Sequence, residues 1–167
     1  RSKGYHDIKA NVVDCPDFAA FIVEHMEDTN ALYEVGGKET AAPRDVPEMM
    51  KDLLSDYKKQ EAVTFDELLE FHYRFESIHP FQDGNGRVGR LILFKECLRN
   101  GIVPFIIEDD MKLYYYRGLQ EWRSEKGYLR DTCLAAQDRF KAYLDYYGIK
   151  YRQRTDKNRF FNGKSNG

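Results

Sequence analysis

Several features that would indicate a particular class of protein are missing from this sequence. The formal net charge is only -2 over 167 residues, so no charge excess favours nucleic acid as a partner. No apolar run approaches the length of a membrane span, and no signal peptide is recognisable. No segment repeats along the chain. These absences favour a soluble globular protein that binds neither nucleic acid nor membrane.

Cysteine is also scarce, and its spacing is informative. The chain has three cysteines, Cys15, Cys97 and Cys133, which are an odd number and lie far apart. Such a pattern argues against a disulfide framework and suits a reducing compartment. We therefore expect small core residues in a cytoplasmic protein. The chain begins with Arg1 rather than methionine, so we expect it to be a piece or a processed form of a longer sequence.

What the sequence does contain is a strong helical pattern. Hydrophobic residues make up 42% and charged residues 32%, which is enough for a core. Apolar residues recur at helical spacing after Pro16, from about Asp45, and after the Thr64–Glu67 capping-box pattern. Pro80 is expected to end the last of these helices, because the residue before a proline avoids the helical region. The fold class is therefore predicted to be all-α.

The second half of the chain continues this pattern. A helix after a glycine-rich stretch is predicted to stop at Asn100-Gly101. Residues 102–107 are short and apolar, typical of either a strand or a buried connector. Asp109 is predicted to cap the next helix, and a last helix is predicted over about 129–147. We expect one domain over residues 1–147, with 1–30 assigned only weakly, and a solvated basic tail over 148–167.

The most informative stretch reads HPFQDGNGRVGR and contains the glycine spacing of a dinucleotide-binding turn, Gly84-x-Gly86-x-x-Gly89. That turn requires a strand before it and a helix after it. The preceding residues instead carry helical spacing and a capping signal, and Asp83 would repel a pyrophosphate. A Rossmann turn is therefore not the favoured interpretation.

The same stretch can serve as an anion site at the start of a helix. Gly84, Asn85 and Gly86 allow the backbone to turn tightly and to point several N–H groups at one spot. The first amides of the following helix add partial positive charge. Arg87 and Arg90 are three residues apart on one helical face, where two guanidinium groups suit a ligand with more than one phosphate.

Two further side chains give this anion site a chemistry. Asp83 fits beside phosphates if a cation stands between them, and Mg²⁺ is the ion that takes few protein carboxylates. His79 precedes the glycines and can accept a proton from an incoming hydroxyl. Together these groups indicate in-line transfer from a nucleotide to an alcohol. Ordinary turn dipeptides with surface arginines are the structural alternative, and a metal site on His72 and His79 lacks a third ligand.

The stretch resembles the active-site motif of the Fic-domain family, HPFx(D/E)GNGRxxR, with every fixed position filled. The resemblance extends from about residue 35 to 147. It implies a compact all-α fold with a small β-hairpin, the flap, at about 35–40. It also implies transfer of AMP from ATP to a Tyr, Thr or Ser hydroxyl of a target protein, which the flap would hold by strand-like pairing.

The resemblance also assigns roles to single residues. His79 would be the general base and Asp83 would hold Mg²⁺ on the α- and β-phosphates. Arg87 would assist catalysis and, with the amides of the nest, bind phosphate, while Arg90 would reach the γ-phosphate. The nest comprises Gly84, Asn85 and Gly86, and the positions that match an adenine pocket are Tyr115, Tyr116 and Leu119. Core packing is the alternative for Tyr115 and Leu119, and Arg123 stands where many relatives have Asn.

Other outcomes within the family stay open. Gly86 argues against the branch that phosphorylates its targets, which has Lys at this position. Transfer of UMP or phosphocholine, removal of AMP, and a non-catalytic nucleotide-binding module are the alternatives. The family's inhibitory pattern, (S/T)xxxE(G/N), is absent, since the nearest candidate, Glu34, has Thr29 five residues before it. The resemblance then implies an inhibitory helix upstream, a separate antitoxin protein, or neither.

Overall fold

The computed structural model describes residues 40–151 of the chain. In chain order the helices are α1 (Val46–Lys58), α2 (Phe65–Ile78), α3 (Asn85–Arg99), α4 (Lys112–Glu121) and α5 (Gly127–Tyr146), with a 3₁₀ turn, Asp109–Met111, before α4. Residues 40–151 contain no β-strand, in agreement with the predicted all-α class. None of the helices in this range is both long and apolar enough to cross a membrane.

Four of the predictions concern residues that lie wholly or mostly outside the described range. The helix after Pro16 lies wholly outside it, as does Cys15. Of the hairpin expected at 35–40, only Thr40 is described, and of the basic tail only the first residues are. The flap and the extent of the domain over residues 1–147 therefore stay predictions.

Helix α2 begins and ends where its sequence predicts. The Thr64 hydroxyl accepts a hydrogen bond from the Glu67 N–H at 3.3 Å, and the Glu67 carboxylate accepts one from the Thr64 N–H at 2.7 Å. This capping box satisfies two amides that the first helical turn cannot pair. The helix ends at Ile78, two residues before Pro80. A helix therefore precedes the glycine-rich stretch, which excludes the Rossmann topology.

The predicted boundaries of the later helices hold with small differences. Helix α3 ends at Arg99, with Asn100 as its C-cap and Gly101 at a φ of 67°. Helix α5 begins at Gly127, two residues earlier than predicted, and stops before Gly148, whose φ is also 67°. The predicted cap at Asp109 is wrong, because this residue opens the 3₁₀ turn and its carboxylate pairs with Lys112 instead.

The segment over residues 102–107 is a buried connector rather than a strand. Its alternate residues Val103, Phe105 and Ile107 are buried, although no neighbouring strand pairs with it in the described chain. The Gln137 side-chain amide donates a hydrogen bond to the Val103 carbonyl at 2.6 Å. A side chain of α5 thus satisfies a backbone group that a sheet would otherwise pair.

The core joins α2, α3, α4 and α5 around large aromatic and aliphatic side chains. Trp122 and Phe140 are fully buried within it, and Phe94 of α3 meets Phe140 edge to face at 5.7 Å between ring centroids. Cys97 and Cys133 are buried free thiols, as predicted for small core residues. Burial raises the pKa of both thiols, so neither is an accessible nucleophile.

Candidate active site

His79 occupies a special backbone position at the exit of α2. Its φ of 54° and ψ of 59° are left-handed, and among residues 40–151 it alone has a positive φ without being glycine. Its N–H donates to the Phe75 carbonyl at 3.1 Å and so closes the helix. Such a conformation costs a non-glycine residue about 1–3 kcal/mol. The result is an exposed imidazole at the edge of the glycine loop. This is the helix exit at which the sequence predicted His79 to lie.

The loop between α2 and α3 is braced by a buried asparagine. Asn85 is 2% exposed, and its side-chain carbonyl accepts from the Phe81 N–H at 2.8 Å. Its side-chain amide donates to the Phe81 carbonyl at 2.6 Å. Sequence reasoning gave Asn85 only a backbone role and missed this brace. The Asn85 side chain faces inward, and its backbone N–H is one of the amides of the first turn of α3.

The start of α3 has the properties of an anion site. Gly84 is its N-cap at a φ of 78°, a conformation that favours glycine, and no side chain caps the helix. The first amide to bond within the helix is that of Val88, which donates to the Gly84 carbonyl at 2.9 Å. The amides of residues 85–87 therefore carry the partial positive charge of the helix end without an intrahelical acceptor.

Both arginines reach back along α3 to flank this helix end. Arg87 Nη2 lies 3.6 Å from the position that a Cβ on Gly84 would occupy. Arg90 Nη1 lies 3.0 Å from the corresponding position on Gly86. Helical side chains lean toward the N-terminus, which explains why Arg87, three residues after Gly84, and Arg90, four residues after Gly86, lie against these glycines. The two glycines thus leave room for the guanidinium groups that their sequence spacing predicted.

The positive charge of this helix end is only weakly neutralised by the chain itself. Arg87 and Asp83 are 3.5 Å apart, with side chains 49% and 87% exposed, and such pairs contribute little. Arg90 is half-buried and forms no ion pair within residues 40–151. The site can therefore accept an anionic ligand without first breaking a strong internal pair.

Asp83 lies at the mouth of the same loop. One of its carboxylate oxygens accepts from the Gly84 N–H at 2.7 Å, and the carboxylate remains exposed. In the described part of the chain, no group of three or more His, Cys, Asp or Glu side chains gathers to hold a metal. A lone carboxylate fits Mg²⁺, because this ion completes its shell with water and phosphate oxygens. The metal site itself stays a prediction.

The predicted adenine pocket falls on residues with contrasting burial. Tyr115 and Leu119 are 1% and 2% exposed and pack in the core, whereas Tyr116 is only half-buried. Arg123, on the same side, donates from Nε to the Tyr73 hydroxyl at 2.9 Å. The geometry of Tyr115 and Leu119 favours the packing alternative, and Tyr116 keeps surface that a base could contact. Base binding by these residues stays a prediction.

The structure does not pair the two histidines that a metal site would need. His72 is 1% exposed, and its Nε2 shares a 2.5 Å hydrogen bond with the Tyr115 hydroxyl. His79 is exposed at the loop. The two side chains therefore serve different environments, one in the core and one at the site.

These features define a helical protein with a candidate anion site and an adjacent histidine. Comparisons with known proteins identify its family. The chain belongs to the Fic/DOC family, whose match covers residues 12–96, about half of the chain. This membership confirms the resemblance drawn from the motif.

The similar curated proteins are adenylyltransferases. A protein adenylyltransferase of Aedes aegypti is 32% identical over 128 residues, covering 75% of this chain and 25% of that protein. One of Caenorhabditis elegans is 33% identical over 94 residues, covering 54% and 18%. A probable one of Aquifex aeolicus is 36% identical over 80 residues, covering 47% and 24%. The chain thus spans a quarter or less of the length of these relatives.

Proposed function

We propose that this chain transfers AMP from ATP to the hydroxyl group of a Tyr, Thr or Ser side chain in a target protein. The observation that carries the proposal is the uncapped start of α3, flanked by the guanidinium groups of Arg87 and Arg90, in the loop that presents His79. The family match and the names of the curated relatives support the same reaction.

The phosphates would be held by groups that the fold keeps in place. The backbone amides at the start of α3 offer hydrogen bonds that carry no reorganisation cost, because the Asn85 brace fixes the loop. Arg87 and Arg90 offer bidentate donors to phosphate oxygens, with Arg90 assigned to the terminal phosphate. Asp83 would hold Mg²⁺, which supplies positive charge to the phosphate oxygens when bound.

His79 would supply the base. Its imidazole would accept the proton of the target hydroxyl while the hydroxyl oxygen forms a bond to the α-phosphorus. The bond from the α-phosphorus to the bridging oxygen breaks, and pyrophosphate leaves toward the arginines. AMP stays on the target, and the protonated imidazole later returns its proton to water. An exposed side chain at a helix exit is open to a target, which a core histidine such as His72 is not.

The partners are proposed from the resemblance. The flap at 35–40 would align the segment of the target protein that carries the hydroxyl. Tyr116 would contact the adenine ring of ATP. An inhibitory helix from elsewhere in the natural protein, or an antitoxin protein, would act on Arg90. If so, adding that element would slow the transfer by this chain, and equal rates would contradict this part of the proposal.

The test is incubation of the chain with ATP and Mg²⁺, read by intact mass, with His79→Ala alongside. Wild type should gain AMP on itself or on a supplied target, and the variant should be about 10²–10⁴-fold slower. ATP affinity, measured by calorimetry, should be largely kept in the variant, because the nest and both arginines are intact. Equal rates for the two proteins would contradict the role of His79.

Further arms separate the alternatives. Replacing ATP by UTP tests transfer of UMP, and supplying an AMP-modified target tests removal of AMP. A protein that binds ATP but modifies nothing, with any nucleotide or target tried, would be a non-catalytic binding module. In that case the affinity of His79→Ala should equal that of wild type.

A further inference from the structure

A buried polar cluster lies between α2, α4 and the N-terminal part of α3, and the proposed reaction does not use it. We call His72, Glu76 and Tyr115 the inner cluster. His72 Nε2 shares a 2.5 Å hydrogen bond with the Tyr115 hydroxyl and lies 3.9 Å from Glu76 Oε1. The His72 and Tyr115 side chains are almost completely buried, and that of Glu76 is 11% exposed. At such depth the His72–Tyr115 hydrogen bond is shielded from water, which makes it costly to break.

The inner cluster contacts α3 at a single glycine of the motif. A Cβ on Gly89 would collide with Glu76 Oε1 and lie 3.2 Å from His72 Cε1. Helix α3 therefore packs against α2 at Gly89 with no room for a side chain, and two members of the cluster form that contact. Gly89 immediately precedes Arg90, so any shift of α3 against the cluster moves that guanidinium.

Arg90 also interacts electrostatically with the cluster. Burial raises the pKa of Tyr115 well above its usual value, the negative charge of Glu76 raises it further, and the positive charge of Arg90 lowers it. The charges of α2 and α3 thus act on the same buried phenol. Tyr115 belongs to α4, so the cluster connects α2 and α4 and contacts α3 at Gly89, next to Arg90.

We propose that Tyr115, with His72 and Glu76, is a positioning group that fixes Arg90 and the first turn of α3, and thereby sets the affinity for the triphosphate end of the nucleotide. This inference rests on the proposed function. Its physical basis is the buried His72–Tyr115 hydrogen bond between α2 and α4, together with the tight packing of Glu76 and His72 against Gly89 beside Arg90. Small displacements of a binding group cost much of its contribution.

The chain offers a matched control at the other end of the same helix. The Tyr57 hydroxyl donates to the Glu96 carboxylate at 2.7 Å, where Glu96 lies near the C-terminus of α3. Tyr57→Phe and Tyr115→Phe each remove one phenolic oxygen that binds a buried polar group, with little change in volume. A general loss of stability would affect both variants, whereas a positioning role belongs to Tyr115 alone.

The experiment compares the two variants with wild type in the whole chain, using Mg-ATP and AMP as calorimetric ligands. We expect Tyr115→Phe to weaken ATP binding about five- to tenfold, the effect of about one hydrogen bond, and to leave AMP binding unchanged, since AMP lacks the phosphates that Arg90 would reach. Tyr57→Phe should change neither affinity. Equal losses of affinity for ATP and AMP would indicate that Tyr115 contacts the adenine ring directly, and would overturn the proposal.

Two further measurements keep the proposal testable. If Tyr115→Phe does not fold, Glu76→Gln replaces it, with the same expected contrast between ATP and AMP. Amide hydrogen exchange at residues 85–90 of the ligand-free protein requires neither transfer nor binding. Exchange there should be faster in Tyr115→Phe than in Tyr57→Phe, and equal exchange would overturn the inference. A wild-type protein that binds ATP without transferring AMP would refute the proposed function alone.

Discussion

The two ends of helix α3 carry charge in opposite ways. At the C-terminal end, Glu96 is 5% exposed and its carboxylate is surrounded by partners. Tyr57 donates to it at 2.7 Å, and Lys95 and Arg99 lie 3.2 and 3.5 Å from it. At the N-terminal end, Arg90 has no ion-pair partner in the described chain, and Arg87 has only the exposed Asp83.

This difference separates a structural network from a proposed binding site on one helix. A buried charge that already has its partners is costly to unpair, so it is not free to bind a ligand. Cations that converge on an uncapped helix start have no such partners and gain them when an anion binds. Variants at the C-terminal end of α3 therefore serve as controls for variants at the N-terminal end.

The largest effect is expected from Arg90→Gln compared with Arg99→Gln. If Arg90 binds the terminal phosphate as proposed, its loss removes charge-assisted hydrogen bonds, and ATP affinity should fall about 10–100-fold. Arg99 is exposed and pairs with Glu96 at the far end of α3, so its loss should change ATP affinity by about twofold at most. Calorimetric titration of both variants provides the measurement. Similar losses in both would mean that the site responds to net charge rather than to the placement of Arg90.

A second contrast separates packing from binding within the N-terminal end. Gly89→Ala forces a methyl group against Glu76 and Phe75 in the interface between α2 and α3, so the free energy of unfolding should fall by about 1–3 kcal/mol. Gly86→Ala meets only the end of the Arg90 side chain, at 3.0 Å, rather than a packed interface, and should leave stability within about 1 kcal/mol. Urea unfolding of both variants, with ATP titration, checks this. Equal stabilities would contradict the close approach at Gly89.

A smaller effect is expected from Tyr57→Phe at the opposite end. The variant loses one hydrogen bond to Glu96, which is worth about 1 kcal/mol and lowers the melting temperature by about 2–4 °C. Its AMP transfer should stay at the wild-type rate. A variant with lower activity but unchanged melting temperature would show that the two ends of α3 are not independent.

The smallest effect is a pH dependence of the same tyrosine. Burial, followed by the bond to Glu96, raises the pKa of Tyr57 from 10.0 to about 12. The unfolded phenol loses its proton near pH 10 while the folded one keeps it. The stability contribution is therefore complete below pH 10 and is lost as pH rises toward 12. The stability gap between wild type and Tyr57→Phe should narrow over this window, and parallel melting curves would contradict it.

The sequence predicted those features that depend on neighbouring residues. The capping box at Thr64, the exit of α2 at His79 and the stop at Asn100-Gly101 all follow from local backbone chemistry. The placement of Arg87 and Arg90 beside the glycines also follows, because helical geometry fixes side chains three residues apart. Fold class and the main outline of the candidate site were therefore accessible without a structure.

Features that depend on distant residues were not accessible. The inner cluster joins His72 to Tyr115, which are separated by 43 positions, and no local sequence pattern predicts such a contact. The Asn85 brace was missed because an Asn-Gly pair is an ordinary turn signal. The sequence of residues 102–107 does not distinguish a strand from a buried connector. A short apolar run has no clear period, so its structure depends on which elements pack beside it.

The left-handed backbone at His79 has a consequence for how this protein trades stability against activity. Glycine adopts that conformation without penalty, so His79→Gly should melt at a higher temperature than His79→Ala while being equally inactive. The position of the proposed base is thus one where glycine would make the fold more stable. Stability alone gives no reason for a histidine at this position, whereas the proposed reaction does.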